Sequence, residues 1–250
     1  MRFVEAAGVS THVESWGPAS GEPLLLIPGL MCTADLYRDQ IAALKSGRDV
    51  VVADHSRSDS MAGIAGGILS VAPPLFALAG LSMGGYVAFE ILRQAPLRVT
   101  RLALLDTSAR ADLADQSERR RELVEIARRR SARFVQKTLL PKLISPGSMT
   151  DITLVERIMA MADDTGVEAF ARQQAAIISR LDSRPLLGGI RCPTLVVVGA
   201  EDELTPLNVA EEIRAGIPGS RLVVVPGAGH LSPIEQPAAV TAALKIWLDD

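Results

Sequence analysis

Cysteine is almost absent from this chain of 250 residues, with Cys32 and Cys192 the only two. Two thiols cannot frame a disulfide scaffold in a chain this long, and such sparing use fits a reducing compartment. An excess of one charge is also missing. The 26 Lys and Arg nearly balance the 29 Asp and Glu, leaving a formal net charge of −3. That balance points to neither nucleic acid nor an anionic membrane as a partner. No apolar run approaches the roughly 18 residues that a bilayer span needs. The first residues carry Glu5 and no apolar stretch with basic flanks, so no signal peptide is expected and the cytoplasm is the default location. Internal repeats and low-complexity segments are absent too. What is present is a globular composition, 48% hydrophobic and 22% charged. It suffices for one large domain, or a domain with a modest insertion.

Short Val- and Leu-rich runs at 24–27, 50–53, 75–79, 102–105, 194–198 and 222–225 read as strands buried on both faces. Helical patterns at 34–44, 62–69, 84–94, 206–215 and 238–248 separate most of them. Such alternation implies βαβ units with helices on both faces of a parallel sheet. The first 17 residues differ. Segments 3–6 and 9–16 read as a hairpin turning near Gly8, which adds an antiparallel edge and brings the expected sheet to eight strands.

The alternation stops between Ser108 and Arg191. Helices are expected at 116–130, 134–139, 150–162 and 167–180, with Pro141, Pro146 and Gly147 as punctuation. This is too long for one crossover helix. Residues 109–190 are therefore expected to hold an inserted helical layer plus one crossover helix, on a core of residues 1–108 and 191–250. The apolar residues Leu139, Leu140, Leu143, Ile144, Ile158, Met159 and Met161 either pack this layer onto the sheet or line a cleft beneath it. The arginines at 119, 120, 121, 128, 129, 130 and 133 read as a solvated face, with Glu125 pairing Arg121 and Arg129.

Three segments carry chemistry, each just past an expected strand. Gly80-Leu81-Ser82-Met83-Gly84 is G-x-S-x-G between a strand and a helix. There a serine is held with its hydroxyl projecting and the next amide sits at a helix N-terminus. Asp202 lies in Gly199-Ala200-Glu201-Asp202-Glu203, where a carboxylate at the end of a parallel strand reaches the ligand crevice. His230 closes Pro226-Gly227-Ala228-Gly229-His230. Of the other histidines, His12 falls in the hairpin, while His55 follows a strand and can line the cleft. Ser82, Asp202 and His230 stand in the chain order Ser…Asp…His. The set makes chemical sense: the hydroxyl needs a base, the imidazole is one near neutrality, and a buried carboxylate fixes the imidazole tautomer. An oxyanion needs two donors, and the backbone N–H groups of Leu30 and Met83 are the candidates. Cys32 reads as a small buried hydrophobe.

With these pieces in place, the chain resembles the α/β-hydrolase superfamily. The matching segments are LLLIPGL, GLSMGGYVAFEIL, PTLVVVGAEDELTP and VVVPGAGHLSPIEQP. The resemblance implies an eight-stranded, mostly parallel sheet with an inserted helical cap that chooses the substrate. Two segments depart from common family patterns: Pro28-Gly29 replaces His-Gly, and Asp54-His55-Ser56-Arg57-Ser58-Asp59-Ser60 replaces D-x-R-G-x-G. Asp106 matches a position where some members place the acid, making it the runner-up to Asp202. The expected activity is cleavage of small carboxylic esters through an acyl-enzyme, without metal or organic cofactor. A carbon–carbon bond hydrolase, a lactonase and a ligand-binding receptor on the same scaffold are the alternatives.

Overall fold

The computed structural model describes residues 2–5, 12–18 and 21–250. In chain order the strands are β1 (Arg2–Glu5), β2 (His12–Trp16), β3 (Leu24–Ile27), β4 (Val50–Ala53), β5 (Phe76–Leu81), β6 (Val99–Leu105), β7 (Thr194–Gly199) and β8 (Arg221–Val225). They form one eight-stranded sheet in the order β1-β2-β4-β3-β5-β6-β7-β8. β1 pairs with β2, and β2 with β4, in antiparallel register, and every other pairing is parallel. The expected antiparallel edge is therefore present, while the turn near Gly8 lies outside the described residues.

Period-two alternation decides which face each strand residue meets. Leu24 and Leu26 of β3, Val50 and Val52 of β4, and Ala103 and Leu105 of β6 enter one apolar cluster. That cluster also holds α1 (Arg38–Leu44) and α10 (Pro237–Asp249). Their neighbours Leu25, Ile27, Val51, Ala53, Leu102 and Leu104 enter the opposite cluster, with α2 (Met61–Val71), α3 (Met83–Gln94) and α8 (Leu207–Gly216). Helices thus cover both faces, which is why the strands read as continuous apolar runs. β3 lies between β4 and β5, so the chain reverses its direction of travel across the sheet there. The crevice outside the carboxyl ends at such a switch point is where open α/β sheets bind ligands.

Between β6 and β7 come α4 (Ala114–Arg129), α5 (Ala132–Leu143), α6 (Ile152–Ile178) and the short α7 (Arg184–Leu187). Capping starts two of them: Ser131 accepts from Phe134 N at 3.0 Å, and Asp151 from Leu154 N at 3.0 Å. The base of this stretch is closed by Asp112, which accepts from both Arg120 and Arg180 at 2.6 Å, and Arg180 also stacks 4.2 Å over the Tyr86 ring. Over the sheet, Arg157 of α6 pairs with Asp35 and Asp39 at 3.0 Å, and Arg172 donates to Ser56 O at 2.9 Å. Among the described residues no helix is long and apolar enough to cross a membrane.

Several expectations need correction. The helices expected at 150–162 and 167–180 are one helix, α6, bent at Gly166 (φ 71°, ψ 172°). Pro141 does not end α5. It lies inside the last turn, which Ile144 N closes onto Leu140 O at 3.2 Å; so near the end, losing one N–H costs little. β5 runs two residues further than expected, straight into Ser82, because Gly80 and Leu81 pair with Leu104 and Leu105. Glu125 pairs with Arg128 at 2.7 Å rather than with Arg121 or Arg129, three residues being as good a helical spacing as four. Leu140, Leu143, Ile144, Ile158, Met159 and Met161 are all buried in the sheet's own cluster, with Leu139 packed against it, so packing claims them.

The bend in α6 gives a stability test. An added Cβ at Gly166 or at Gly188 would meet nothing within 4 Å, so only the backbone separates the two sites. Gly166 occupies a region open essentially to glycine, whereas Gly188 is ordinary right-handed helical (φ −65°, ψ −13°). Gly166→Ala should lose about 1–3 kcal/mol, and Gly188→Ala should hold or gain up to about 1 kcal/mol. Thermal unfolding of both variants checks this, at roughly 2–4 °C per kcal/mol for a chain of this size.

Candidate active site

Serine is a favoured helix cap, yet Ser82 at the start of α3 makes no side-chain capping bond. Its backbone is forced to φ 53° and ψ −113°. Ser82 N donates to Leu105 O at 2.9 Å, and Ser82 O accepts from Thr107 Oγ1 at 2.7 Å. The turn is this sharp because β5 and α3 nearly touch. A Cβ on Gly80 would lie 2.3 Å from Gly84 O, and one on Gly84 would lie 2.1 Å from Ile27 O. The hydroxyl, turned away from the helix amides, points to the loop after β8.

That loop brings His230, whose Nε2 lies 2.8 Å from Ser82 Oγ. His230 Nδ1 lies 2.8 Å from Asp202 Oδ2. A carboxylate only accepts, so Nδ1 carries the hydrogen and Nε2 is left to accept from the serine. Asp202 Oδ1 accepts from Leu204 N and Thr205 N at 2.8 and 3.0 Å, and Oδ2 also accepts from Thr205 Oγ1 at 2.7 Å. Burial alone would lift the Asp202 carboxyl. The His230 imidazole and the Thr205 hydrogen bonds outweigh it and hold the group at about 2. Burial works against a charge on His230, but the facing Asp202 carboxylate outweighs it, and the imidazole is raised above its ordinary value. The expected residues Ser82, His230 and Asp202 thus form one hydrogen-bonded line. Such a line can pass the serine proton to the imidazole and keep the resulting charge beside a carboxylate.

The amides of Leu30 and Met83 lie at the carboxyl ends of β3 and β5, neighbours at the switch point. Among the described residues neither has a protein acceptor. His12 begins β2, three strands from β5. His55 is buried against the loop after β3, with Nε2 at 3.1 Å from Gly29 O. Cys32 is buried, and burial pushes its thiol up to about 12, in keeping with an inert side chain.

Two carboxylates in the site went unassigned in the sequence. Asp106 is fully buried and accepts from Gly199 N at 2.7 Å and from Ser232 Oγ at 2.5 Å. It ties the end of β6 to the loops that carry Asp202 and His230, and it does not take the Nδ1 position. Glu235 accepts from Gly229 N at 2.9 Å, Ser145 N at 2.7 Å and Ser148 Oγ at 2.9 Å. It joins the histidine loop to the α5–α6 connection. Its position in LSPIEQP, five residues past His230, was the available signal.

Known proteins agree with this geometry. The model of the alpha/beta hydrolase family matches residues 24–244. The chain belongs to that family. It is 31% identical to a thermophilic esterase from Thermogutta terrifontis, with a TM-score of 0.90 over 99% of this chain and 97% of that one. It is 24% identical to 3-oxoadipate enol-lactonase 2 of Acinetobacter baylyi, over 96% of this chain and 93% of the relative. It is 26% identical to a pimeloyl-[acyl-carrier protein] methyl ester esterase of Edwardsiella ictaluri, over 92% and 95%.

Asp106 gives this hydrolase-family site a pH signature. Burial, reinforced by the Asp202 charge, pushes its carboxyl from 3.8 to about 8 against the pull of His230, Ser232 and the Gly199 amide. Between those values the folded chain holds a proton that the unfolded chain has released, so stability falls as pH rises. Asp106→Asn removes that dependence. The melting temperature of the variant should gain on the natural sequence steadily from pH 4 to pH 8, and a constant difference would contradict the assignment.

Proposed function

We propose that the protein hydrolyses carboxylic esters of small molecules through an acyl-enzyme on Ser82. The observation that carries this reading is the line of two 2.8 Å contacts from Ser82 Oγ through His230 to Asp202. Ser82 Oγ attacks the acyl carbon while its proton passes to His230 Nε2. The carbonyl oxygen becomes an oxyanion, held by the Leu30 and Met83 amides. The C–O bond to the alcohol breaks, and His230 returns its proton to that leaving oxygen. Water then attacks the ester on Ser82, giving its proton to His230. Collapse releases the acid, and Ser82 regains its hydrogen. Asp202 stays ionised throughout and holds the imidazole in the working tautomer. Residues and water move every proton and electron pair in these steps, which call on no metal or cofactor. The cytoplasm suits such a small-molecule hydrolase.

A lactone is a cyclic ester and passes through the same steps, its alcohol remaining tethered to the acid. The enol-lactonase relative supports this as the second substrate form. Residues 109–190 serve as the cap that selects the substrate. Within them Leu139 and Val167 are only half-buried, and they pack in the cluster that includes Leu30 and Met31. Val167→Ala should shift preference towards a longer acyl chain by about fourfold per methylene, at about 0.8 kcal/mol each. A series of p-nitrophenyl esters reads this directly.

A fluorophosphonate should label the natural sequence at Ser82, whereas a receptor with a disabled site would stay unlabelled. Ser82→Ala should fold normally and lose on the order of 10⁴-fold in kcat. Asp202→Asn should lose a comparable factor, because the amide holds the wrong imidazole tautomer. Asp106→Asn should stay within about tenfold of the natural sequence. A larger loss for Asp106→Asn than for Asp202→Asn would reassign the acid.

A further inference from the structure

The loop after β3 is a turn closed by Cys32 N donating to Gly29 O at 3.1 Å. Leu30 and Met31 are its central residues, and Met31 has φ +55° while Leu30 is not in the positive-φ region. A positive φ at the third position is the type II form, in which the central peptide is flipped relative to type I. Type II wants glycine there. Methionine in the left-handed region costs roughly 1–2 kcal/mol, so something else must hold the flip.

Both ends of the flipped peptide have partners. Its N–H, on Met31, donates to Gln173 Oε1 of α6 at 3.2 Å. Its carbonyl, on Leu30, accepts from the protonated Cys32 thiol at 3.5 Å. The preceding peptide joins Gly29 C=O to Leu30 N–H. Its carbonyl accepts from Cys32 N and faces His55 Nε2 at 3.1 Å. A carbonyl can only accept, so His55 carries its hydrogen on Nε2. The 3.5 Å approach of Gln173 Nε2 to that same atom is then packing rather than a hydrogen bond. Burial lowers His55 below its ordinary value, against the charge of Asp54 and the bond to Gly29 O, so the donor is a neutral imidazole.

A trans peptide is planar, so fixing its carbonyl fixes the direction of its N–H. Donation to the carbonyl also polarises the amide and strengthens its N–H as a donor. We propose that His55 and Gln173 are positioning residues that aim and hold the Leu30 N–H as an oxyanion donor, His55 through the carbonyl of the same peptide and Gln173 through the next. This rests on the hydrolase reading given above. His55 comes from the β4–α2 connection and Gln173 from the middle of α6, 118 residues apart. The helical layer therefore contributes to the chemistry, beyond covering it. An oxyanion donor is worth about 10²–10³ in rate, and a misplacement of about 1 Å about 10².

The test measures kcat and KM with p-nitrophenyl acetate, inhibition by a trifluoromethyl ketone that adds to serine, and thermal unfolding. The variants are His55→Leu, His55→Gln, Gln173→Leu and Ser82→Ala. His55→Leu and Gln173→Leu should each lower kcat by about 10- to 100-fold, with KM within about threefold and ketone affinity falling in step with kcat. His55→Gln, which restores an N–H near the Nε2 position, should recover to within about threefold of the natural sequence. The double variant His55→Leu/Gln173→Leu should lose less than the product of the single losses, since both act on one amide. If Ser82→Ala is inactive while the Leu variants keep kcat and ketone affinity, the clamp is wrong and the hydrolase reading stands. If His55→Gln falls as far as His55→Leu, with melting temperatures dropping in parallel, the role is packing and the clamp is again wrong. If Ser82→Ala matches the natural sequence, or neither hydrolyses the ester, the hydrolase reading fails and the clamp with it.

Discussion

Everything at this site depends on one strained junction, where β5 passes into α3 through Ser82 at φ 53°. The strain is of order 1–3 kcal/mol and persists because the surroundings leave no alternative. Gly80 and Gly84 admit no side chain, and the serine backbone is bonded at both N and O to the end of β6 and to Thr107. The same junction removes the hydroxyl from its ordinary capping role and presents the Met83 amide at a helix N-terminus. A relaxed turn would let Ser82 cap α3 and would separate it from His230. Met31 at φ +55° on the neighbouring strand end is a second strained residue. The two candidate oxyanion amides thus both come from turns whose geometry is imposed by contacts elsewhere.

The sheet was readable because its strands are buried on both faces, and a continuous apolar run with a helix after it has few other interpretations. Ser82, Asp202 and His230 were readable for a related reason, since each directly follows such a run. The supporting residues were not. Gln173 lies 142 residues from Met31 in the interior of a helix, and nothing local distinguishes it from Gln174 beside it. Asp106 and Asp202 both end strands, and only three-dimensional geometry shows which one reaches His230 Nδ1. Asp106 faces Ser232 and Gly199 instead. Glu235 stood in a segment that had already been singled out, but its three partners come from loops some 90 residues apart in the chain. Gly166 looked like a gap between two helices and is a bend within one, because flanking residues on both sides remain helical.

The helical stretch between β6 and β7 is bound to the rest by polar contacts at its edges as well as by apolar packing. Arg157 holds the loop after β3, Arg172 the loop after β4, and Ser145 and Ser148 meet Glu235 beside the histidine loop. Leu231 N also donates to Leu143 O at 3.1 Å. Each loop that carries a candidate catalytic group other than Asp202 and Ser82 is thereby fixed partly by residues of this stretch. Changes there are expected to alter turnover along with substrate choice, which separates this arrangement from a roof that merely restricts entry.

The central claim is that Ser82 becomes covalently acylated with His230 as its base. The direct measurement is to mix the protein with p-nitrophenyl acetate, quench in acid within the first turnover, and map the modified peptide by mass spectrometry. The account predicts one acetyl group per chain, on Ser82, arriving with a burst of p-nitrophenol and absent after His230→Ala. An ester cleaved at full rate with no acetyl on Ser82, or with the acetyl on another residue, would contradict it.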